Sequence, residues 1–146
     1  MDILRKLNDF LKVCEDIGIP MTKDKTFPAT VMTFLGYELD TNLMEVRLPL
    51  DKLGTCLELI QNCLQKPKIT LQNLQSIIGN LNFACGVVLP GRAFLHRLLC
   101  LTIGVSHAQH HSRLNKAVKS DLILWSRLLQ NFNGRSFFLP DRWLNS

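Results

Sequence analysis

The sequence predicts a mainly α protein with one small β-hairpin: a helix and the hairpin, then a three-helix bundle and a C-terminal helix. Three observations carry that expectation. Apolar residues recur at i, i+3, i+4 and i+7 over most of the chain, the period of an amphipathic helix. Breaks containing Gly or Pro (Gly18 with Pro20, Lys66-Pro67-Lys68, Leu89-Pro90-Gly91, Gly104) cut this pattern into pieces of helix length. One stretch alone, FLGYELDTNLMEVRLP at 34–49, alternates apolar and polar residues around Asp40-Thr41-Asn42, which reads as two short strands and a turn.

Residues 3–17 place Ile3, Leu4, Leu7, Phe10, Leu11, Cys14 and Ile17 on one helical stripe, and Gly18 ends it. A polar loop, MTKDKTFPAT, leads into the hairpin. Leu48-Pro49-Leu50-Asp51 ends the second strand and opens a helix with Leu53, Leu57, Ile60 and Leu64 on its core face and Gly54 weakening its first turn. Thr70 is the expected N-cap of the next helix. Counting roughly 100° per residue from Leu74, the residues Ile77, Ile78, Leu81, Cys85 and Val88 all fall within about 60° of it, a buried stripe.

Phe94, Leu95, Leu98 and Leu99 mark a shorter third helix before Gly104, and the short breaks suggest an antiparallel bundle. SHAQHHS, 106–112, reads as a loop. A fourth helix, Arg113 to Leu129, carries Leu114, Ala117, Val118, Leu122, Trp125, Leu128 and Leu129 on its apolar side. Asn133-Gly134 signals a turn before an edge strand, SFFL, stopped by Pro140. The chain divides into 1–49, 50–104 and 105–146.

Hydrophobic residues make up 47% and charged residues 20%, a globular composition. No apolar run approaches the roughly 18–20 residues of a membrane span, and the charged, amphipathic start does not read as a secretory signal. The expected location is intracellular, cytoplasmic or nuclear. Five cysteines, an odd number at no metal-like spacing, sit in apolar periodic patterns, as reduced packing residues do. Residues 1–58 hold seven Lys/Arg against ten Asp/Glu, a net −3, whereas residues 59–146 hold ten against two, a net +8. So positive a segment suits a polyanion, although a solubilising surface would look the same by charge alone.

The helix after Thr70 has residues off its core face that stand out. Gln75, Gly79 and Phe83 lie at roughly 100°, 140° and 180° from Leu74, in a row spaced i, i+4, i+8. A mid-helix Gly costs about 1 kcal/mol relative to Ala. Gly permits close approach, Gln offers hydrogen bonds, and an aromatic face can pack on a sugar or base. The alternative is that Gly79 lets another helix cross and Phe83 fills that junction.

LQSIIGNLNFACGVVLPG, residues 74–91, resembles the thumb helix of retroviral-type reverse transcriptases, and FLGYEL, residues 34–39, looks like their primer-grip motif. The preceding helix, Gly18 and Lys23-Asp24-Lys25 are similar to the family's motif at the end of the palm. The run LPGRAFLHRLL and then HHSRLNKAVKSDLILWSRLLQNFNG looks most like the DIRS-type retroelement branch, where it joins thumb to RNase H. Three blocks in the family's order are more specific than any one, and the resemblance covers about residues 4–138.

The resemblance implies a palm-end helix and primer-grip-like hairpin over 1–49, a thumb-like bundle over 50–104 and a connection segment over 105–146. Leu35, Gly36 and Tyr37 would hold the primer's 3′ end, Gly36 omitting the Cβ that would block the terminal phosphate; the alternative is a plain two-strand cap on the bundle with Tyr37 packed inside. Gln75, Gly79 and Phe83, with Asn82 beside them, would follow the minor groove of a primer–template duplex, an RNA/DNA hybrid or DNA. Lys66, Lys68, Arg92 and Arg97 are the phosphate-contact candidates, each also readable as a solvated charge. Lys25 matches the family's lysine, thought to help protonate the departing pyrophosphate, with Lys23 the alternative register.

Polymerase chemistry needs two Mg²⁺ ions held by converging carboxylates. The twelve acidic residues include no Asp-Asp pair and no Asp-x-Asp. The family's YxDD-type hairpin would lie upstream of Met1 and its RNase H domain beyond Ser146. This chain alone is therefore expected to bind no metal cofactor and to lack polymerase and nuclease activity, Mg²⁺ belonging to the parent enzyme. His107, His110 and His111 with Cys100 do not complete a zinc spacing, and neither Tyr37 nor Cys100 has a partner suggesting nucleophilic activation. The expected partners are a nucleic-acid duplex and the remainder of a reverse-transcriptase polyprotein, with no membrane. Two other readings are a domesticated helical protein–protein module presenting Phe83, Trp125 or Phe137/Phe138, and an element relic without selected function.

Overall fold

The computed structural model describes residues 2–22, 24, 26–132 and 136–137. Helix α1, Asp2–Asp16, forms where the apolar period predicts it. Its last turn closes with the Ile19 N–H donating to the Cys14 carbonyl at 2.8 Å and the Gly18 N–H to that of Glu15 at 3.1 Å. Cys14 alone on the stripe is buried; Ile3, Leu4, Phe10 and Ile17 face solvent. The amphipathic period thus foretells a helix without foretelling a partner for it.

Strands β1 (Val31–Phe34), β2 (Tyr37–Asp40) and β3 (Glu45–Arg47) form an antiparallel meander. The expected hairpin is β2–β3, closed by residues 41–44, and its register sets Asp40 opposite Glu45. A further strand extends this hairpin on its other side. VMTF pairs with YELD, Phe34 opposite Tyr37, so that Leu35-Gly36 is itself a two-residue turn.

Helix α2, Leu50–Gln65, buries Cys56, Ile60 and Cys63, with Leu53, Leu57 and Leu64 half-buried beside them. Strand β4, Lys68–Thr70, leads directly into α3, Leu71–Ala84, whose cap is Thr70 as expected, its hydroxyl accepting from the Asn73 N–H at 3.3 Å. Leu74, Ile77, Leu81, Cys85 and Val88 are buried and Ile78 half-buried, so the predicted stripe is the core face. A 3-10 turn over Leu89–Phe94 precedes the short α4, His96–Cys100.

SHAQHHS is not wholly a loop: β5, His111–Arg113, pairs antiparallel with β4. The carbonyls of Ala108 and His110 accept the N–H groups of Gln72 and Leu71, satisfying the start of α3. Helix α5, Lys116–Phe132, starts later than expected because the Asn115 side chain caps it, accepting from the Val118 N–H at 2.9 Å.

Trp125, Leu122, Val118 and Leu129 of α5 fill the centre of the bundle, where α5 packs against α2 and the 3-10 turn. Trp125 is fully buried and so is not a presented surface residue. Its ring occupies the space that a Cβ on Gly91 would need. Strand β6, Ser136–Phe137, adds to β3; Asn133-Gly134 and Phe138 to Pro140 lie outside the described residues, as do Lys23 and Lys25. Among the described residues no helix is long and apolar enough to cross a membrane.

Candidate nucleic-acid interface

The turn between β1 and β2 places both central residues at positive φ, Leu35 at 51° and Gly36 at 81°. Two-residue turns of this hand match the twist of the strands and favour Asn-Gly. Gly adopts the angle freely, whereas a leucine there costs on the order of 1 kcal/mol. Leu35 is also 76% exposed. A strained, solvent-facing leucine at a turn tip is explained by neither local propensity nor packing within the chain.

Tyr37 follows the turn and joins it to α3. Its ring stacks on Phe83 with centroids 4.4 Å apart and planes within 1°. Its hydroxyl donates to the Phe83 carbonyl at 2.7 Å, lying over Gly86, where a Cβ would collide with it. Burial, then the neighbouring Cys85, pushes the phenol above its ordinary value, so the hydroxyl stays a donor at neutral pH. The Phe83 ring also lies against Gly36, 2.9 Å from where a Cβ would stand. Gly36 therefore answers two needs, the turn angle and room for Phe83.

The three residues singled out on α3 divide accordingly. Gln75 and Gly79 are exposed, as is Asn82, while Phe83 is half-buried between hairpin and helix. Nothing lies within 4 Å of a Cβ built on Gly79, so no other helix of the described chain crosses there. Phe83 does fill a junction, but with the hairpin. A shallow groove of about 320 Å³ runs along this face, lined by Gln75, Ser76, Gly79, Asn80, Phe83 and Lys52. All of α3, LQNLQSIIGNLNFA, is without a charged residue. Its outer face therefore presents amides, one hydroxyl, bare backbone and an aromatic edge.

The cations flank this face. Lys52 enters the groove from the first turn of α2, and Lys66 and Lys68 line a recess beside Asn73, near the N-terminal end of α3. Lys52 and Lys66 are separated by 14 residues, about 20 Å along the helix and its end. Lys52 and Gly86 were not foreseen: their relevance depends on how α2 and the hairpin pack on α3. Arg92 is exposed on the 3-10 turn. Arg97 is committed elsewhere, its guanidinium donating to both oxygens of buried Asp121 at 3.0 and 3.2 Å.

Three carboxylates converge in the meander: Glu38, Asp40 and Glu45. Arg47 fills their midst, with ion pairs of 2.6, 3.1 and 2.8 Å respectively. The Leu43 N–H, against the opposing effect of burial, then Arg47 and the Asn42 N–H hold the Asp40 carboxyl below its ordinary value. A guanidinium at their centre makes these acids a structural ion-pair network. They do not fit a two-Mg²⁺ site, and no phosphoryl-transfer step is assigned to them.

Cys14, Cys56, Cys63 and Cys85 are buried as expected, and burial raises the last three thiols above their ordinary value, which keeps them unreactive. Cys100 departs from expectation: it is exposed, its Sγ 3.5 Å from His96 Nε2. No family model, curated protein or solved structure matches this chain.

Proposed function

We propose that this chain grips a nucleic-acid duplex as the thumb and primer grip of a retroelement reverse transcriptase do, and leaves phosphoryl transfer to groups outside it. One observation carries the reading. The hairpin tip at 35–37 and the row at 75–83, far apart in sequence, meet through the half-buried Tyr37–Phe83 stack, which joins exposed Leu35 to exposed Gln75 and Gly79. On that surface α3 contributes no charge, and lysines flank it: Lys52 at the groove and Lys66 and Lys68 beside Asn73. Neutral amides and a bare backbone suit a shallow minor groove read by shape and sugar contacts; flanking cations suit phosphates. The partner is a primer–template duplex, RNA/DNA hybrid or DNA, together with the remainder of the polyprotein.

The test is fluorescence anisotropy of a labelled RNA–DNA hybrid at low salt. Binding with little sequence preference that weakens as salt rises supports the reading. Absence of binding at 50 mM salt, or dependence on one base sequence, overturns it.

The exposed stripe of α1 favours a second reading. Ile3, Leu4, Phe10 and Ile17 form an apolar ridge with no partner among the described residues, as a protein–protein module would have. Self-association through α1 predicts a dimer by light scattering that Phe10→Asp dissociates. A monomer at micromolar concentration removes this reading.

A further inference from the structure

We infer that the β4–β5 ribbon and the end of α2 form a seat for the backbone phosphates of a nucleic-acid strand; this rests on the duplex-gripping reading. The register sets Lys68 directly opposite Arg113 and Thr70 opposite His111. Cross-strand partners share one face of a ribbon, and like charges placed so are destabilising. Both Lys68 and Arg113 are exposed, and no ion pair of the described residues involves either one, Lys66 or His111. A two-strand ribbon of three residues each is weak enough that an uncompensated Lys–Arg pair is a poor choice for folding alone.

Beside the ribbon lies a recess of about 310 Å³ lined by Lys66, Lys68, His111, Thr70 and the amides Asn62 and Asn73. Its lining contains no carboxylate. Cations, an imidazole, a hydroxyl and amide groups around one concavity are the donor set of a phosphate oxyanion. The recess adjoins α3 at Asn73, so a strand lying along the uncharged face would bring its phosphates over it as it leaves the N-terminal end of that helix. His111, in the recess, and Arg113, outside its lining but directly across from Lys68, thereby join Lys66 and Lys68 as phosphate-binding residues; the ribbon holds Lys68, His111 and Arg113 on one face, and Lys66 lies just before it.

Removing two phosphate contacts lowers the slope of log affinity against log salt by about 2. The experiment compares the wild type with the double variant Lys68→Gln/Arg113→Gln on a labelled RNA–DNA hybrid. Between 50 and 200 mM salt the wild type should lose roughly tenfold more affinity than the variant. The variant's melting temperature should stay level or rise, since a repulsive pair has been removed, so weaker binding cannot be ascribed to unfolding. Identical salt slopes for two folded proteins that both bind hybrid overturn this seat and leave the duplex reading standing. No hybrid binding by the wild type overturns both. A titration with inorganic phosphate distinguishes the source of the anion. Amide shifts at Asn62 and Asn73 with phosphate alone, combined with an unchanged hybrid slope, would mean a small-anion site and would also refute the assignment.

Discussion

Gly79→Ala separates folding from binding more cleanly than any other substitution. Gly79 lies in the middle of α3, where alanine is favoured over glycine by about 0.8–1 kcal/mol. Nothing stands within 4 Å of the position the new methyl would take, so no clash within the described chain opposes this gain. The variant should therefore be more stable by about 1 kcal/mol, a rise of about 4 °C in melting temperature for a domain of this size. If Gly79 faces a duplex, the same methyl holds the groove off the helix. An added gap of 0.5–1 Å forfeits about a quarter to a half of the dispersion attraction of each nearby contact.

Spread over Gln75, Gly79 and Phe83, that loss should approach 1.4 kcal/mol, about tenfold in affinity. Urea denaturation and hybrid anisotropy measure the two quantities on one sample. Stability up with binding down is the expected pair. A more stable variant that binds as tightly as the wild type would show that α3 is not the contact surface. A less stable variant would show that the open space at Gly79 is filled by something packing against it.

Leu35→Asn supplies the residue its turn prefers and should stabilise the hairpin by about 1 kcal/mol while weakening hybrid binding; unchanged binding would leave the strained leucine without a role. Tyr37→Phe removes one hydrogen bond and should cost about 1 kcal/mol of stability, and a double-mutant cycle of Tyr37→Ala with Phe83→Ala should return a coupling of about 0.5–1.5 kcal/mol, with additivity meaning that the stack does not join hairpin to helix. Asp40 contributes stability that is present above the unfolded carboxyl value, 3.8, and lost as pH falls through its lower folded value, because its folded pKa is the depressed one. Wild type and Asp40→Asn should therefore differ at pH 5 and converge towards pH 2; parallel stability curves would refute this. Gly91→Ala should destabilise by about 1–3 kcal/mol through collision with the Trp125 ring, and a neutral result in thermal melts would place Trp125 elsewhere.

Much of the α-helical fold was legible because its signals are local. The stripe from Leu74 to Val88, the Thr70 cap and the end of α1 at Gly18 each depend on residues within a turn or two. What escaped the sequence is non-local or atypical. The β1–β2 turn carries Leu35 where Asn would announce it, so VMTF did not read as a strand. The β4–β5 pairing joins three residues to three others some forty positions away, too short for any periodicity. Lys52 lies on a different helix from the strip it borders, and only the packing of α2 on α3 brings it into the groove. The residues at 75, 79 and 83 could be put on one face by counting; that Phe83 would turn to the hairpin could not.

The placement of charge gives the gripping reading its sharpest consequence. A generic basic patch attracts a polyanion through cations spread across the contact, so every lysine would contribute alike and Gly79 would be silent. Here the cations flank an uncharged helix, Lys52 from α2 at the groove's edge and Lys66 and Lys68 past its N-terminal end, and a long ammonium on the helix itself would prop the duplex away from it. The two parts should therefore leave different marks. Substitutions at Lys52, Lys66, Lys68 or Arg113 change how affinity responds to salt, because each releases one counterion fewer. Substitutions at Gln75 or Gly79 change affinity by the same factor at every salt concentration, since no ion is displaced by a shape contact. A surface on which both sets altered the slope equally would be an electrostatic patch, and the bare face of α3 would then have no part in binding.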